Sequence, residues 1–427
     1  MSNLKSKNEE TQVLHAGWRA DPSTNSVAVP IHQTTSYQFN SANHAENLFA
    51  LKELGNIYTR IMNPTCDVLE KRVTAFEKGV AALAVSSGQS ATALAIQNLA
   101  KNGDNIISST DIYGGTWNLF ANTLKDQGIE VRFIDPNNPD AFESASDNKT
   151  RAYFGETLPN PKLNIFPIEK VSNIGKKLGI PLILDNTAAP YICKPFKHGA
   201  SVIIHSTTKY IGGQGSAIGG IIVDGGNFNW EKFKNQQPAL NRPDPSYNGL
   251  IWTEAAKPLG PIAYILKART TLLRDLGSAM SPFNAFQFIQ GIETLPLRIE
   301  RQSQNALKVV DFLKKNNYIT KVIYPGPSSK NIKYFSKNLY GNLIGFHIKK
   351  GYAACKRFID KLELFYHVAN IGDVRSLAIH PSSTTHSQLS KTNQERAGVY
   401  ENYIRLSIGI EHIDDIINDL DNALKSM

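Results

Sequence analysis

The sequence predicts an α/β protein with a mostly parallel central sheet covered by helices on both faces, followed by a smaller C-terminal α+β domain. From residue 66 to about residue 265, short apolar runs alternate with helical patterns, which is typical of a parallel sheet wrapped by helices. After about residue 266 the pattern changes to longer helices with isolated strands. A chain of 427 residues is long enough for two or three domains.

The predicted elements of the first part alternate regularly along the chain. Its predicted helices lie at 67–76, 88–99 and 117–127. Its predicted strands lie at 81–85, 105–108, 131–134, 152–155, 182–185, 202–205 and 219–223. Because ligands bind beyond the carboxyl ends of the strands in such sheets, polar residues at those ends are candidates for a functional site.

The second part begins with two long helical patterns, at 265–274 and 285–313. The longer one is expected to kink near Pro296, because proline disrupts a helix interior. Further helices are predicted at 353–361 and 413–424, and strands at 343–348 and 378–379. This mixture indicates an α+β domain.

The first 65 residues are polar and irregular, with few apolar residues to form a core. Such a segment is expected to lie across another surface, for example that of a second subunit. We therefore predict three parts: an N-terminal arm at 1–65, a first domain at 66–265, and a C-terminal domain at 266–427.

The composition is that of an ordinary globular protein, with 41% hydrophobic and 19% charged residues. No apolar run approaches the ~20 residues that a membrane helix needs, and the N-terminus lacks the apolar core of a signal peptide. The three cysteines, Cys66, Cys193 and Cys355, form no disulfide or metal-binding pattern. We expect a cytoplasmic protein with no membrane partner and no metal site.

A lysine-rich stretch at 308–361 accounts for the net charge of +9, because it carries twelve Lys and Arg residues against Asp311 and Asp360. One interpretation is a patch for nucleic acid or another acidic partner. We favour a solvated basic face of one domain, since no nucleic-acid motif accompanies these lysines. No nucleic-acid partner is predicted.

The most informative segment places Lys209 after the apolar strand 202–205 and three hydroxyl residues, with a glycine-rich turn behind it. A lysine desolvated at the end of a buried strand has a lowered pKa and attacks carbonyl groups. The neighbouring hydroxyls of Ser206 and Thr208 suit a phosphate. We predict a site for pyridoxal 5'-phosphate (PLP), with Lys209 forming the Schiff base; the alternative is a lysine paired with a carboxylate.

Asp185 ends the apolar strand 182–185, where a carboxylate must be paired because burying it alone is costly. Paired with the ring nitrogen of PLP, it would keep the ring protonated and make the cofactor an electron sink. The 24-residue spacing between Asp185 and Lys209 suits one strand–helix–strand unit, which brings both residues to the same sheet edge. A helix cap is the alternative for Asp185 alone.

Two further segments suit a phosphate. Ser87, Gly88 and Gln89 follow a strand and open a helix, whose first N–H groups are free to bind an anion. Tyr58 and Arg60 lie together in a loop, where they could clamp a phosphate. A serine cap and two surface residues are the respective alternatives.

Two more residues suit a flat ligand and a carboxylate. Tyr113 stands beside two glycines, which fits an aromatic that stacks on a ring, but also fits a common turn. Arg405 interrupts an apolar, strand-like run. An inward arginine there needs a carboxylate, either that of an amino-acid substrate or that of a structural salt bridge.

In this order, the motifs resemble the cystathionine γ-synthase family of PLP enzymes, also called the Cys/Met metabolism family, over nearly the whole chain. Four stretches look most like those of the O-acetylhomoserine sulfhydrylases in that family: SPFNAF at 281–286, GIETLPLR at 291–298, HPSSTTH at 380–386, and RLSIGIE at 405–411. The resemblance implies the type I fold of PLP-dependent transferases. It also implies a homotetramer built as a dimer of dimers.

The resemblance implies roles for the candidate residues. Lys209 would bind the cofactor and move protons, Asp185 would pair with the pyridine nitrogen, and Tyr113 would stack on the ring. The phosphate would be held by Ser87, Gly88, Gln89, Ser206 and Thr208, joined by Tyr58 and Arg60 from a neighbouring subunit. The substrate α-carboxylate would be bound by Arg405, with Asn160 and Ser376 nearby.

The implied reaction is γ-substitution on O-acetyl-L-homoserine, in which acetate leaves and a thiol adds. Sulfide would give homocysteine, and methanethiol would give methionine. The alternative is a γ-lyase, or a γ-synthase that uses another thiol or nucleophile. Pro159, Gln214 and Arg375 depart from the usual family pattern beside site segments, which leaves the nucleophile open.

Overall fold

The computed structural model describes residues 6–387 and 390–427, which form two β-sheets with their surrounding helices. The strands in chain order are β1 Ala81–Val85, β2 Asn105–Ser109, β3 Glu130–Ile134, β4 Thr150–Glu156, β5 Leu182–Asp185, β6 Val202–His205, β7 Gly220–Asp224, β8 Ile319–Ile323, β9 Leu343–Ile348, β10 Tyr366–His367, β11 Leu377–Ile379 and β12 Tyr403–Ser407.

The α-helices surround these sheets and are numbered in the same way. They are α1 Glu9–His15, α2 Ala42–Phe49, α3 Pro64–Glu77, α4 Gly88–Gln97, α5 Gly114–Asn118, α6 Leu124–Asp126, α7 Ala141–Ser144, α8 Ile168–Leu178, α9 Pro238–Asn241, α10 Trp252–Ala255, α11 Ala263–Ala268, α12 Arg274–Leu276, α13 Pro282–Glu293, α14 Leu295–Lys315, α15 Gly351–Asp360, α16 Lys391–Arg396 and α17 Ile413–Lys425. Two π-helical segments, Leu119–Thr123 and Arg269–Leu273, join α5 to α6 and α11 to α12.

The central sheet has seven strands in the order β1-β7-β6-β5-β4-β2-β3. Only β7 runs antiparallel to its neighbours, and all other pairs are parallel. This confirms the predicted, mostly parallel sheet. The carboxyl ends of β4, β5 and β6 lie side by side, because Glu156 is in register with Asp185, and Asp185 with Ile204.

Both faces of this sheet are buried, as the residues of β4 show. Successive residues of a strand point to opposite sides of a sheet. On β4, Tyr153 packs edge-on against Phe142 with ring centroids 5.3 Å apart, and Phe154 packs edge-on against Phe120 at 4.9 Å. The two pairs belong to separate apolar clusters on the two faces. A sheet covered on both sides explains why its strands are continuous apolar runs.

The second sheet has five strands in the order β10-β11-β12-β9-β8. Its strands β9 and β12 contribute Phe346 and Ile404 to an apolar cluster with Val310 of α14, Phe358 of α15 and Leu420 of α17. This sheet and its helices confirm the predicted smaller α+β part of the fold.

Some predicted elements differ from the structure. The long helix predicted at 285–313 is two helices, α13 and α14, separated at Thr294, so Pro296 is not a kink inside one helix. Pro296 lies in the first turn of α14, where a missing backbone N–H costs no hydrogen bond. Between β5 and β6 there is only a 3₁₀ turn, Pro195–His198, instead of the expected helix.

Other elements were absent from the sequence-based prediction. Helix α8 and strand β8 were not predicted, and the irregular first 65 residues contain α1 and α2. The apolar residues Ile168, Val171 and Ile174 are buried on one face of α8. Their helical spacing in the sequence is the signal that could have identified this helix.

The compositional features have direct structural counterparts. Cys66, Cys193 and Cys355 are all buried free thiols. In the part of the chain that the structure describes, no helix combines the length and the apolar character needed to cross a membrane. Within the lysine-rich stretch, Lys333 and Lys337 pair with carboxylates of Glu169 and Glu10.

Replacing the fully buried Ile183 of β5 by alanine is expected to reduce the free energy of unfolding by about 2–5 kcal/mol, because the lost methyl groups leave a cavity. The midpoint of urea unfolding, followed by tryptophan fluorescence, measures the loss. Leu178→Ala is the control, since that side chain is 36% exposed at the end of α8 and its loss costs under about 1 kcal/mol. Equal losses in both variants would contradict the described packing.

Candidate active site

Lys209 lies in a tight turn immediately beyond the carboxyl end of β6. Its backbone N–H donates to the carbonyl of Ser206 at 3.2 Å, and its own carbonyl accepts from the N–H of Gly213 at 2.7 Å. The amine donates to Asn370 Oδ1 at 2.6 Å. Burial lowers the pKa of this amine, and the nearby Arg405 guanidinium lowers it further. An amide rather than a carboxylate accepts from the lysine, and the lowered pKa makes the neutral, nucleophilic form of the amine more accessible than in an exposed lysine.

Asp185 lies at the carboxyl end of β5 beside this turn. Its Oδ1 accepts from the N–H of Thr187 at 2.8 Å, and Thr187 Oγ1 accepts from the N–H of Ser206 at 2.8 Å. This is an Asx turn and not a helix cap. Burial raises the pKa of the Asp185 carboxyl, while the bonds from Thr187 oppose the rise. The residues at the ends of β5 and β6 are thus joined directly by hydrogen bonds.

Glu156 is a second carboxylate at this edge that the sequence analysis missed. It ends β4 in register with Asp185, and its Oε1 accepts from the N–H of Tyr113 at 2.6 Å. Burial and the charge of Asp185 raise the pKa of Glu156 well above its usual range. The signal that identified Asp185, a carboxylate ending a buried apolar strand, would also have identified Glu156.

Tyr113 stands at the start of α5, and its side chain is 54% exposed. Its ring folds across Gly115, where an added Cβ would lie 2.5 Å from Tyr113 Cε1. A side chain at position 115 would push the ring away. Glycine at that position and the hydrogen bond from the Tyr113 N–H to Glu156 together place the ring at the mouth of the site.

The residues predicted to hold a phosphate meet at the N-terminus of α4. Ser87 caps this helix, with its Oγ accepting from the N–H of Ser90 at 3.0 Å. Gly88 lies so close to Ser206 that an added Cβ would be 2.6 Å from Ser206 Cβ. The first N–H groups of a helix have no intrahelical acceptor, and they carry a partial positive charge. The hydroxyl of Ser206 and the helix end therefore form one cradle for an anion.

Gln89 and Thr208 lie at the borders of this cradle and bond to neighbouring elements. The side-chain oxygen of Gln89 accepts from the hydroxyl of Thr116 at 3.1 Å. Thr208 Oγ1 donates to the carbonyl of Gly219 at 3.2 Å and accepts from its N–H at 3.0 Å. In this structure the Thr208 hydroxyl thus braces the turn that carries Lys209.

Arg405 projects from β12 and is 6% exposed. Its Nη2 donates to the carbonyl of Asn370 at 2.9 Å, its Nε is buried without a hydrogen-bond acceptor, and no carboxylate pairs with it among residues 6–387 and 390–427. A buried guanidinium with an unused donor is prepared for a carboxylate ligand. Asn370 contacts both Lys209 and Arg405, and so joins the two basic side chains.

Asn370, and not the predicted Ser376, contacts Lys209 and Arg405 in the structure. Ser376 is fully buried, and its hydroxyl donates to Glu411 Oε2 at 2.9 Å and accepts from the N–H of Gly409 at 2.9 Å. Its polar atoms are therefore engaged inside the protein, while Asn370 faces the lysine. The side-chain oxygen of Asn160 is buried, and within the described residues no hydrogen-bond donor contacts it. This oxygen is therefore available to accept a hydrogen bond from a ligand.

Tyr58 and Arg60 are not brought together with these residues within one chain. Both are exposed in a loop, where the Arg60 guanidinium lies 5.4 Å from the centroid of the Tyr58 ring. In the described part of the chain, no hydrogen bond or ion pair joins either residue to Lys209 or Asp185. Their exposure leaves both free to contact another molecule.

The assembled residues fit PLP. The amine of Lys209 suits the aldehyde, the carboxylate of Asp185 suits the ring nitrogen, and the cradle of Gly88 and Ser206 suits the phosphate. The orphaned Nε of Arg405 would remain for the carboxylate of an amino acid. The chemical set needed for PLP is thus present at one edge of the central sheet.

Comparisons with known proteins agree with this fit. The family described as Cys/Met metabolism PLP-dependent enzymes matches residues 10–425. The O-acetyl-L-homoserine sulfhydrylase of Leptospira meyeri is 54% identical, over 98% of this chain and 97% of its own length. O-acetyl-L-homoserine sulfhydrylase 1 of Thermus thermophilus is 49% identical, over 97% of this chain and 99% of its own.

A solved structure gives the same result. The putative O-acetylhomoserine (thiol)-lyase of Campylobacter jejuni, solved with an N'-pyridoxyl-lysine-5'-monophosphate residue, superposes with a TM-score of 0.94. It is 44% identical, and the match covers 98% of this chain and 100% of that one. The cofactor and the fold class predicted from the sequence are thereby confirmed.

Gly88→Ala is expected to weaken PLP binding at least tenfold, because the new methyl group would collide with the Cβ and Oγ of Ser206 in the anion cradle. Titration of the apoprotein with PLP, followed by absorbance, measures the dissociation constant. Gly326→Ala is the matched control, since a Cβ there meets no atom within 4 Å. Unchanged affinity in Gly88→Ala would contradict the placement of the cradle.

Proposed function

Because the chain belongs to the family of Cys/Met metabolism PLP-dependent enzymes, we propose that it catalyses γ-substitution on O-acetyl-L-homoserine. Sulfide or methanethiol is the nucleophile, and the products are homocysteine or methionine with acetate. The relatives named O-acetyl-L-homoserine sulfhydrylase support this choice, as does the homocysteine synthase of Schizosaccharomyces pombe, which is 44% identical over 99% of both chains.

The single observation that carries the proposal is the buried, unpaired guanidinium of Arg405 beside Lys209. The two N–H donors of an arginine edge bind a carboxylate bidentately, and Nε is free for such a bond. An α-carboxylate held there places the α-carbon of an amino acid near the lysine amine. Asn160, whose side-chain oxygen is buried and unengaged in the described structure, is the second proposed contact with the substrate.

Lys209 is the proposed proton carrier. PLP, when bound, supplies the electron sink for carbanion chemistry. The lowered pKa of Lys209 makes the neutral Nζ more accessible, and this nitrogen would accept the proton from the substrate Cα. Asn370 Oδ1 orients this amine, so that the same nitrogen can carry a proton between neighbouring carbon atoms.

Asp185, Glu156 and Tyr113 support this chemistry. Asp185 lies where it can pair with the ring nitrogen, and its neighbour Glu156 has the more strongly raised pKa. We assign the negative charge to Asp185 and a proton to Glu156, because two adjacent buried carboxylates do not both ionise readily. Tyr113 would stack on the ring of PLP and assist proton transfer at the leaving acetate.

The proposal extends to the assembly. The arm, residues 1–65, contributes Tyr58 and Arg60 to the phosphate site of a neighbouring subunit, and the chain forms a homotetramer that is a dimer of dimers. The cofactor domain spans 66–265, and the C-terminal domain spans 266–427. The exposure of Tyr58 and Arg60 supports this arrangement. Buried free thiols support a reducing, cytoplasmic location.

Purified protein loaded with PLP is expected to form homocysteine and acetate from O-acetyl-L-homoserine only when sulfide is present. Lys209→Ala is expected to form neither product. Substituting succinyl- or phosphohomoserine for the acetyl ester, and methanethiol or cysteine for sulfide, defines the preferred pair. Oxobutyrate and ammonia released equally with and without sulfide would replace this proposal by a γ-lyase.

Arg405→Leu is expected to reduce kcat/KM for the homoserine ester by roughly 30- to 4000-fold, which corresponds to the loss of about 2–5 kcal/mol for a buried charged contact. Arg357→Leu is the control, since Arg357 is exposed on α15. Equal losses in both variants would exclude Arg405 as the carboxylate site.

The same variant tests the electrostatics without substrate. Arg405 lowers the pKa of Lys209, so its removal lets the amine keep its proton to higher pH. The rate at which the apoprotein binds PLP covalently rises as the amine loses its proton. The midpoint pH of this rise is expected to be higher in Arg405→Leu than in the wild type. Stopped-flow absorbance across a pH series measures this midpoint, and a downward shift would contradict the stated proximity.

A further inference from the structure

The segment 370–376 is bonded to the turn that carries Lys209. The N–H of Val374 donates to the carbonyl of Gly213 at 2.7 Å. The Nη2 of Arg375 donates to the carbonyl of Gln214 at 2.6 Å. Because the N–H of Gly213 donates to the carbonyl of Lys209 at 2.7 Å, these contacts lie one hydrogen bond away from the lysine main chain.

The same segment is bonded on its other side to β12 and the residues that follow it. The N–H of Gly372 donates to Ser407 Oγ at 2.9 Å, and the N–H of Ile410 donates to the carbonyl of Val374 at 2.8 Å. Arg405 donates to the carbonyl of Asn370, at the start of the segment. Segment 370–376 therefore spans the gap between the cofactor lysine and the strand that carries Arg405.

Arg375 is held in place by Asp373. Its Nε donates to Asp373 Oδ1 at 2.8 Å and its Nη2 to Asp373 Oδ2 at 3.1 Å. Asp373 is 5% exposed, and its Oδ2 would lie 2.8 Å from a Cβ built on Gly215. The carboxylate of Asp373 thus lies against the turn at Gly215, and the guanidinium of Arg375 neutralises its charge there.

We propose that Arg375 is a positioning residue, which fixes the turn after Lys209 and thereby the distance between the lysine amine and Arg405. This rests on the proposed function for its kinetic consequence, but not for its structural one. We call the hydrogen bonds from Arg375 to Asp373 and to the main-chain carbonyl of Gln214 the clamp. The side chain of Gln214 takes no part in it.

An arginine suits this position because its planar guanidinium presents several donors in fixed directions. It bonds the two oxygens of Asp373 and the carbonyl of Gln214 at once. A lysine ammonium is a point charge on a flexible stem and cannot hold these groups at a set angle. Arg375→Lys therefore keeps the charge and loses the clamp, whereas Gln214→Ala keeps the clamp.

The first experiment is hydrogen–deuterium exchange of the PLP-loaded full chain, read on peptides that cover 210–216. Exchange in this turn is expected to be at least threefold faster in Arg375→Ala and Arg375→Lys than in the wild type, and unchanged in Gln214→Ala. No substrate is used, so this result is independent of the proposed reaction. Unchanged exchange in both Arg375 variants, or equal acceleration in Gln214→Ala, would overturn the proposal.

The second experiment is a pH titration of the absorbance of PLP bound to Lys209. Arg375→Ala removes a cation and leaves the Asp373 carboxylate unneutralised, which favours the protonated form, so the midpoint is expected to move to higher pH. In the proposed reaction kcat is expected to fall about tenfold, through misplacement of the amine, with a smaller change in KM. A lower urea midpoint with an unaltered titration midpoint would show a merely structural role and overturn the proposal.

Discussion

The arrangement of the site depends on one asparagine that two buried basic side chains share. Lys209 and Arg405 come from different sheets, and Asn370 accepts from the first through its side chain and from the second through its main chain. A second positive charge beside the buried Arg405 guanidinium is unfavourable, so this arrangement lowers the pKa of Lys209 and favours the binding of an anion. The proposed amino-acid carboxylate would pair with the Arg405 guanidinium and offset the cost of burying it.

The central sheet places the other functional groups around this pair. The parallel strands β4, β5 and β6 end at one edge and deliver Glu156, Asp185 and the Lys209 turn side by side. The N-terminus of α4 reaches the same edge through the contact of Gly88 with Ser206. The C-terminal sheet completes the site with Arg405. The position of Arg405 relative to the Lys209 turn therefore depends on segment 370–376, which is hydrogen-bonded to that turn and to β12.

The sequence predicted the parts of the site that lie at the ends of apolar strands. Strands 81–85, 182–185 and 202–205 were predicted with the bounds that the structure shows, because a strand buried on both faces is a continuous apolar run. Asp185 and Lys209 were prominent against that background. The helix expected between them is absent, yet their strands are still adjacent and parallel.

Residues whose role depends on long-range contacts were not predictable in this way. Asn370 lies in a loop without a periodic pattern, and its importance follows only from the arrival of Lys209 and Arg405 from elsewhere in the chain. Ser376 was named from the family resemblance, which could not show that Glu411 already accepts from its N–H and its hydroxyl. The separation of α13 from α14 at Thr294 likewise depended on whether Pro296 lay inside a helix or at its start.

The hydrogen-bonded chain from Asp185 through Thr187 to Ser206 has a consequence for which vitamer the protein accepts. It connects the carboxylate proposed for the ring to the main-chain N–H of Ser206, a residue of the anion cradle, by two hydrogen bonds of 2.8 Å, so the distance between the carboxylate and the cradle is constrained without a ligand. A pyridine that lacks the phosphate would reach only one end of this span. We therefore expect the apoprotein to bind unphosphorylated pyridoxal more weakly than pyridoxal phosphate.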